Sequence, residues 1–175
     1  MSIKNTWRHF HLITSHKYHV ARFCFKCGLY RQGVLHDLSK YTPVEFKTGI
    51  KYFNGQKSPN GVERKENGYS LAWLHHKGRN RHHWEFWVDF TGEGTVASRM
   101  PEVYVIEMFI DRVCASMVYN RGGFSNGDPL KYYLRTREYC IFHPETEALL
   151  VELLEHLASS DIFATLEYIK KEYLK

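Results

Sequence analysis

The 175-residue sequence predicts an all-α fold, a single helical-bundle domain of six to eight helices. Three observations carry that expectation. Apolar residues recur at helical spacing along most of the chain, most clearly in "PEVYVIEMFIDRVCASMVYN", where Val105, Ile106, Phe109, Val113 and Met117 form one stripe. Helix-start signals punctuate the chain: Thr42-Pro43 with Glu45 following, Ser70, and Pro101. Strand signals are scarce.

Taken in order, residues 3–27 interleave Trp7, Phe10, Ile13, Val20 and Phe23 with Lys, Arg and His, a helix that Gly28 would cap. A short helix is then expected through His36 and Asp37, buried by Val34, Leu35 and Leu38. Thr42, Pro43 and Glu45 form a capping-box pattern that opens a helix running to about Phe53. Residues 54–69, rich in Asn and Gly, read as one long loop. Ser70 should cap a helix carrying Trp73, Leu74 and His75-His76, interrupted near Gly78 and Asn80. "DFTGEGTVASRM" reads as a second loop, and Pro101 opens the long apolar helix. Helices at about 129–139, 144–158 and 161–173 complete one domain spanning residues 1–175. Its motif-bearing core covers about 12–118, with the C-terminal helices at about 129–173.

Composition narrows the function. A hydrophobic fraction of 43% argues against a disordered chain. The net charge of +5 is compatible with an anionic substrate, but it is spread out, with no run of five Lys or Arg, so the clustered footprint expected of a nucleic-acid binder is missing. No apolar run approaches the roughly 18 residues of a membrane helix. The N-terminus lacks the apolar core of a signal peptide. Cys24, Cys27, Cys114 and Cys140 read as buried thiols of a reducing compartment, since the single C-x-x-C has no second pair to complete a zinc site. The expected location is cytoplasmic.

Chemistry concentrates in three places. "AWLHHKGRNRHHWEF" holds His75, His76, His82 and His83 within nine residues. Imidazole is the commonest metal ligand, so the cluster is either a ligand set or a solvated basic turn. In "VLHDLSK", His36 and Asp37 are adjacent in an apolar setting, and Lys40 follows one turn later. In "VIEMFIDRVCAS", Asp111 interrupts the apolar stripe, with Glu107 one turn before it on the same face. A carboxylate buried there without a partner would cost several kcal/mol. Either a metal or a salt bridge, to Arg112 or to Lys17 of another helix, would have to offset that cost.

Together, "HKYHVA", "LHDLSK" and "IDRVCA" resemble the motif helices of the HD-domain superfamily of metal-dependent phosphohydrolases, over about residues 12–118. The resemblance implies His16, His36, Asp37 and Asp111 as metal ligands, with His19 the alternative to His16, and Lys40 beside the substrate phosphate. Many members of that superfamily complete a second metal site with histidines between the His-Asp pair and the last Asp. That implies ligands among His75, His76, His82 and His83, with a kink at Gly78 and Asn80 turning one of each pair inward. The implied cofactor is one or two divalent transition metal ions (Mn, Fe, Co, Ni or Zn), and the implied activity is hydrolysis of a nucleotide or similar small phosphoester. Asp37 and Lys40 would be catalytic, and Lys40, Arg79 and Arg81 would bind the phosphoryl oxygens. Two other readings stay open: a non-catalytic helical module with a structural metal, and a metal nuclease of the His-Asn-His type, which would need a β-hairpin at residues 60–75. The aromatic run 131–142 reads as core packing, His143 as a loop residue at a helix start, and His9, His11 and His156 as surface.

Overall fold

Nine α-helices and one short hairpin make up the computed structural model, which describes residues 2–55, 57–120 and 123–174. The helices are α1 (Ile3–Cys27), α2 (Tyr30–Leu35), α3 (Pro43–Lys51), α4 (Pro59–Asn67), α5 (Leu71–Lys77), α6 (Glu102–Tyr119), α7 (Asp128–Thr136), α8 (Pro144–Ser159) and α9 (Ile162–Glu172). The all-α class expected from the sequence is the one observed. Three of the end signals work as read: Gly28 closes α1 in the left-handed region, Ser70 accepts a hydrogen bond from the Trp73 N–H, and Pro101 sits at the N-cap of α6.

The core is built around α6, because that helix is apolar on nearly every side. Val105, Ile106, Phe109, Ile110 and Val113 are fully or almost fully buried against Leu150, Leu153, Leu154 and Leu157 of α8. Val20 and Phe23 of α1, Tyr133 of α7 and Leu166 and Ile169 of α9 close the same cluster. The C-terminal helices therefore share one core with the motif-bearing helices. Among the described residues, no helix is long and apolar enough to cross a membrane.

Several local expectations are corrected. The stretch 54–69 is not one loop: Pro59 starts α4, with Gly68 closing it at positive φ. The stretch after Trp87 is not irregular: β1 (Val88–Thr91) pairs antiparallel with β2 (Gly94–Ala97) across Gly92-Glu93. Val88–Thr91 does alternate apolar and polar residues, but Gly94–Ala97 does not, so a single four-residue alternation beside two glycines reads as loop. Val34, Leu35 and Leu38 are about half exposed rather than buried. Instead α2 meets α1 through Gly33, where a Cβ would lie 2.9 Å from the Phe25 ring and 3.0 Å from Cys24 Cβ. The aromatic run 131–142 does not act as a unit: Tyr133 is fully buried, Tyr132 and Tyr139 are exposed, and Phe142 packs on Trp84. His11 is exposed, but His9 is buried between Phe46 and Phe53, and His156 is half-buried, stacked on Tyr168. All four cysteines are free, and Cys24, Cys27 and Cys114 are buried.

Candidate metal centre

The helix expected to carry His36 and Asp37 stops one residue short of them. His36 is the C-cap of α2, and Asp37 turns into the left-handed region (φ 55°), the one positive-φ non-glycine among the described residues. Such a conformation costs on the order of 1 kcal/mol in a non-glycine residue. It lets two adjacent side chains point into one cavity. Lys17 of α1 reinforces the turn by donating to the Val34 and His36 carbonyls at 2.6 and 2.7 Å. Lys17 is thus engaged in holding this bend rather than in pairing with Asp111.

Around Asp37 two sets of ligand-type atoms converge, one on each carboxylate oxygen. The first set comes from α1, the His36-Asp37 turn and α6: His16 Nε2 is 2.9 Å from Asp111 Oδ1 and 3.8 Å from Asp37 Oδ2. His36 Nε2 is 3.3 Å from Asp37 Oδ2 and 3.5 Å from Asp111 Oδ1. The second set comes from α5 and the turn after it: His76 Nε2 and His82 Nε2 lie 3.2 and 3.4 Å from Asp37 Oδ1. His83 joins them, with one ligand atom of each residue within 4.8 Å of the others in its set.

Apart from the His16–Asp111 hydrogen bond, these distances suit a shared cation better than mutual hydrogen bonding. Donors each about 2.1 Å from one ion sit roughly 3.0–3.4 Å apart in tetrahedral or octahedral arrangements. His36 Nε2, His82 Nε2, His83 Nε2 and Asp37 Oδ1 are buried and make no hydrogen bond, whereas Asp37 Oδ2 is paired with the Lys40 ammonium. Buried polar atoms are seldom left so. Four of them meeting in one place fit the donor set of a metal centre.

A second layer orients the imidazoles. Glu107 Oε1 accepts from His36 Nδ1 at 2.9 Å and lies 3.1 Å from His82 Nδ1, while Glu45 Oε2 accepts from His76 Nδ1 at 2.8 Å. A carboxylate on Nδ1 places the proton there and leaves the inward Nε2 lone pair free once the ring is neutral. Burial of His36, however, is outweighed by Asp37, Asp111 and Glu107, which raise its pKa well above the ordinary value. Asn80 donates to the His76 carbonyl and to Ser39 Oγ at 2.8 Å each, which closes the turn between the histidine pairs.

The electrostatics follow from burial and from the partners. Burial would raise the pKa of Asp37, but His36 and Lys40 hold it well below the carboxylate range. Burial opposes charge on Asp111 too, yet the hydrogen bond with His16 and the nearby His36 ring keep its pKa low. Burial and repulsion from His82 and His76 push His83 well down, which keeps its ring neutral. Lys40 Nζ sits 2.5 Å from Asp37 Oδ2 with its side chain 29% exposed, so it bridges the cluster and solvent.

His16, His36, Asp37, Lys40, His76, His82, His83 and Asp111 are therefore brought together. His19 is not among them; its ring lies against Tyr18. The kink at Gly78 and Asn80 is present, but it turns inward both members of the second histidine pair. His75 stays outside, its Nδ1 2.6 Å from Glu45 Oε1. Arg79 is exposed and donates to the His75 carbonyl, while Arg81 is exposed and reaches the Tyr104 hydroxyl. Neither guanidinium enters the cluster. Glu45 was expected in a capping box, but Thr42 makes no side-chain cap and the carboxylate turns to the histidines. Only its position in a helix opposite the histidine run, invisible in sequence, would have revealed that role. The hairpin needed at residues 60–75 by a His-Asn-His nuclease is absent, because α4 and α5 occupy that stretch.

Neither the curated proteins nor the solved structures returned a match to this chain. One family model does match, over residues 5–156, a span that includes the whole cluster and most of the core. By that match the chain belongs to DUF5662, a family of unknown function.

Proposed function

We propose that this chain is a metal-dependent phosphohydrolase that hydrolyses a small anionic phosphoester, using one or two divalent transition metal ions. The observation that carries the reading is Asp37, whose two oxygens each face a separate set of imidazole nitrogens, three of which lack any hydrogen-bond partner. His16, His36, Asp37 and Asp111 would hold one ion, and Asp37, His76, His82 and His83 the other. Donor sets this rich in imidazole suit Mn, Fe, Co, Ni or Zn better than Mg or Ca. Such ions, when bound, supply Lewis acidity and lower the pKa of water. The resemblance to HD-domain phosphohydrolases supports the same reading, and the free thiols fit a reducing, cytoplasmic setting.

The chain's own residues have separable tasks. Asp37 ties the two sets together and, with Asp111, supplies the negative charge that draws cations in. Lys40 holds a positive charge at the solvent-facing side of Asp37, where a phosphoryl oxygen can accept from it. Glu107 and Glu45 keep the imidazoles aimed inward. In the overall reaction the bond from phosphorus to the leaving oxygen breaks, a bond to water oxygen forms, and phosphate and an alcohol result.

A second reading, a non-catalytic helical module with structural metal, is favoured by the count of four protein donors in each set, since structural zinc sites are closed in this way. One experiment separates the two. Elemental analysis of tag-free protein should find about two equivalents of transition metal, both lost in Asp37→Ala and the first lost in Asp111→Ala. Turnover on a phosphoester panel by loaded protein, abolished in Asp37→Ala, supports the hydrolase. Bound metal with no turnover favours the structural role. No metal, even after loading with Mn, Co and Ni, sinks both.

A further inference from the structure

A groove of about 380 Å³ opens beside the metal cluster, at the end where α1 begins and α6 finishes. Its walls include Trp7, Arg8 and Leu12 of α1, Phe53 and Lys57 of the loop after α3, and Tyr119 of α6. That volume lies within the roughly 300–1,000 Å³ range of small-molecule sites. Helix geometry places the groove near the cluster, although no residue of the cluster lines it. Leu12 is one turn from His16 on the same face of α1, and Val118, which also lines the groove, is two turns from Asp111 on α6. Tyr119 is close enough to Lys40, Asp111 and Asp37 to feel their charge.

The chemistry of the walls is aromatic and cationic. Trp7 is 67% exposed and Tyr119 42%, while the Arg8 guanidinium lies over the Phe53 ring, 5.9 Å from its centroid. Exposed indole and phenol faces offer stacking to a flat ring, and Arg8 and Lys57 add positive charge on the rim. An aliphatic sugar or glycerol has no flat ring to stack on these faces and would use them less fully. The geometry points to a leaving-group subsite: the groove takes the ring of an aromatic-bearing phosphomonoester, either a nucleoside monophosphate or an aryl phosphate, whose phosphate reaches Lys40. This assignment rests on the phosphohydrolase reading for the phosphate end, but the ring end stands on the groove alone.

The test therefore reads binding and turnover separately. Adenosine, which has no phosphoester to hydrolyse, is titrated by saturation-transfer NMR into the full chain, the chelator-treated chain, Asp111→Ala, Trp7→Ala and Arg8→Gln, with ribose as the ringless control. Adenosine should bind the full and metal-stripped proteins alike, bind Trp7→Ala roughly ten-fold more weakly, and outcompete ribose. Equal binding of adenosine and ribose, or undiminished binding by Trp7→Ala, overturns the subsite. Trp7 is largely exposed, so its loss does not threaten folding, and Arg8→Gln provides a second check on the same wall. In the turnover arm, adenosine monophosphate and phenyl phosphate are compared with ribose 5-phosphate. Preference for the first identifies a nucleoside source, and preference for the second an aryl source. Preference for ribose 5-phosphate overturns the proposal. Adenosine binding without turnover of any phosphoester leaves the groove standing and removes the hydrolase.

Discussion

At the residue scale, Glu107 carries the most leverage per atom. It meets one histidine from each ligand set, His36 and His82, whereas Glu45 serves only His76 within the second set. Removing such an outer carboxylate typically costs about 10–100-fold in metal affinity. Glu107→Gln should therefore weaken both metal equivalents in a competition titration, and Glu45→Gln only one. Identical effects of the two substitutions would show that the carboxylates do not orient separate sites. His9 offers a different test, outside the cluster. Burial, and then repulsion from Lys40, lowers its pKa from 6.5 to about 4. The unfolded chain thus binds the extra proton first as pH falls. His9 contributes stability that is complete above about pH 6.5 and lost between there and pH 4, on the order of 1–2 kcal/mol after allowing for solvent screening. In denaturant titrations across that range, His9→Leu should show a shallower fall in stability than the parent. Residues with unusual chemistry in apolar company, such as Asp111 in the stripe of α6, were legible in the sequence because burying them demands a partner. Glu45 was not, because a carboxylate near a helix start has an ordinary local explanation. Arg79 and Arg81 were over-read for the converse reason: adjacency to histidines says nothing about which way a side chain leaves a turn.

At the scale of elements, two glycines predict opposite outcomes for the same substitution. Gly49 lies inside α3 where α1 crosses it, and a Cβ there would fall 2.1 Å from His9 Nε2. His9 is hemmed in by Phe46 and Phe53, so the ring has little room to yield. Gly49→Ala should lose about 1–3 kcal/mol to overpacking, more than the helix-propensity gain of up to about 1 kcal/mol recovers. Gly61 in α4 meets nothing within 4 Å, and Gly61→Ala should gain about 0.5 kcal/mol. Thermal melts of both variants would show shifts of opposite sign, and a stabilised Gly49→Ala would contradict the α1–α3 packing. The same contrast explains which elements the sequence disclosed. Long helices with an apolar stripe and a capping residue, such as α1 and α6, are over-determined by local signals. α4 has few apolar residues and β1–β2 is four residues per strand, so tertiary context decides them. The inward turn of His82 and His83 belongs to this class, since it depends on Asn80 reaching Ser39 of a separate segment.

For the whole molecule, the cluster is a tie between segments that otherwise pack through different partners. Its donors come from α1, the turn after α2, α5 with its following turn, and α6, yet Leu74 beside His75-His76 is half exposed and α5 adds little besides Ala72 to the apolar core. Asp37, Asp111, Glu107 and Glu45 place four carboxylates against the imidazoles and Lys40, an arrangement that cations would steady. A ligand that binds only the folded chain stabilises it by RT ln(1 + [L]/Kd), about 2.7 kcal/mol per site at a hundred times Kd. For a chain of this length that corresponds to roughly 5–11 °C in melting temperature. Chelator treatment should therefore lower the melting temperature by that order, and readdition of Mn, Co or Zn should restore it. Asp37→Ala, which loses the bridge between the sets, should melt at the same temperature with or without metal. A parent protein whose melting is indifferent to chelator and to added metal would mean that the imidazoles and carboxylates hold the four segments together by themselves. The fold would then not depend on a metal tie, and the two donor sets would be a charged core network rather than a binding centre.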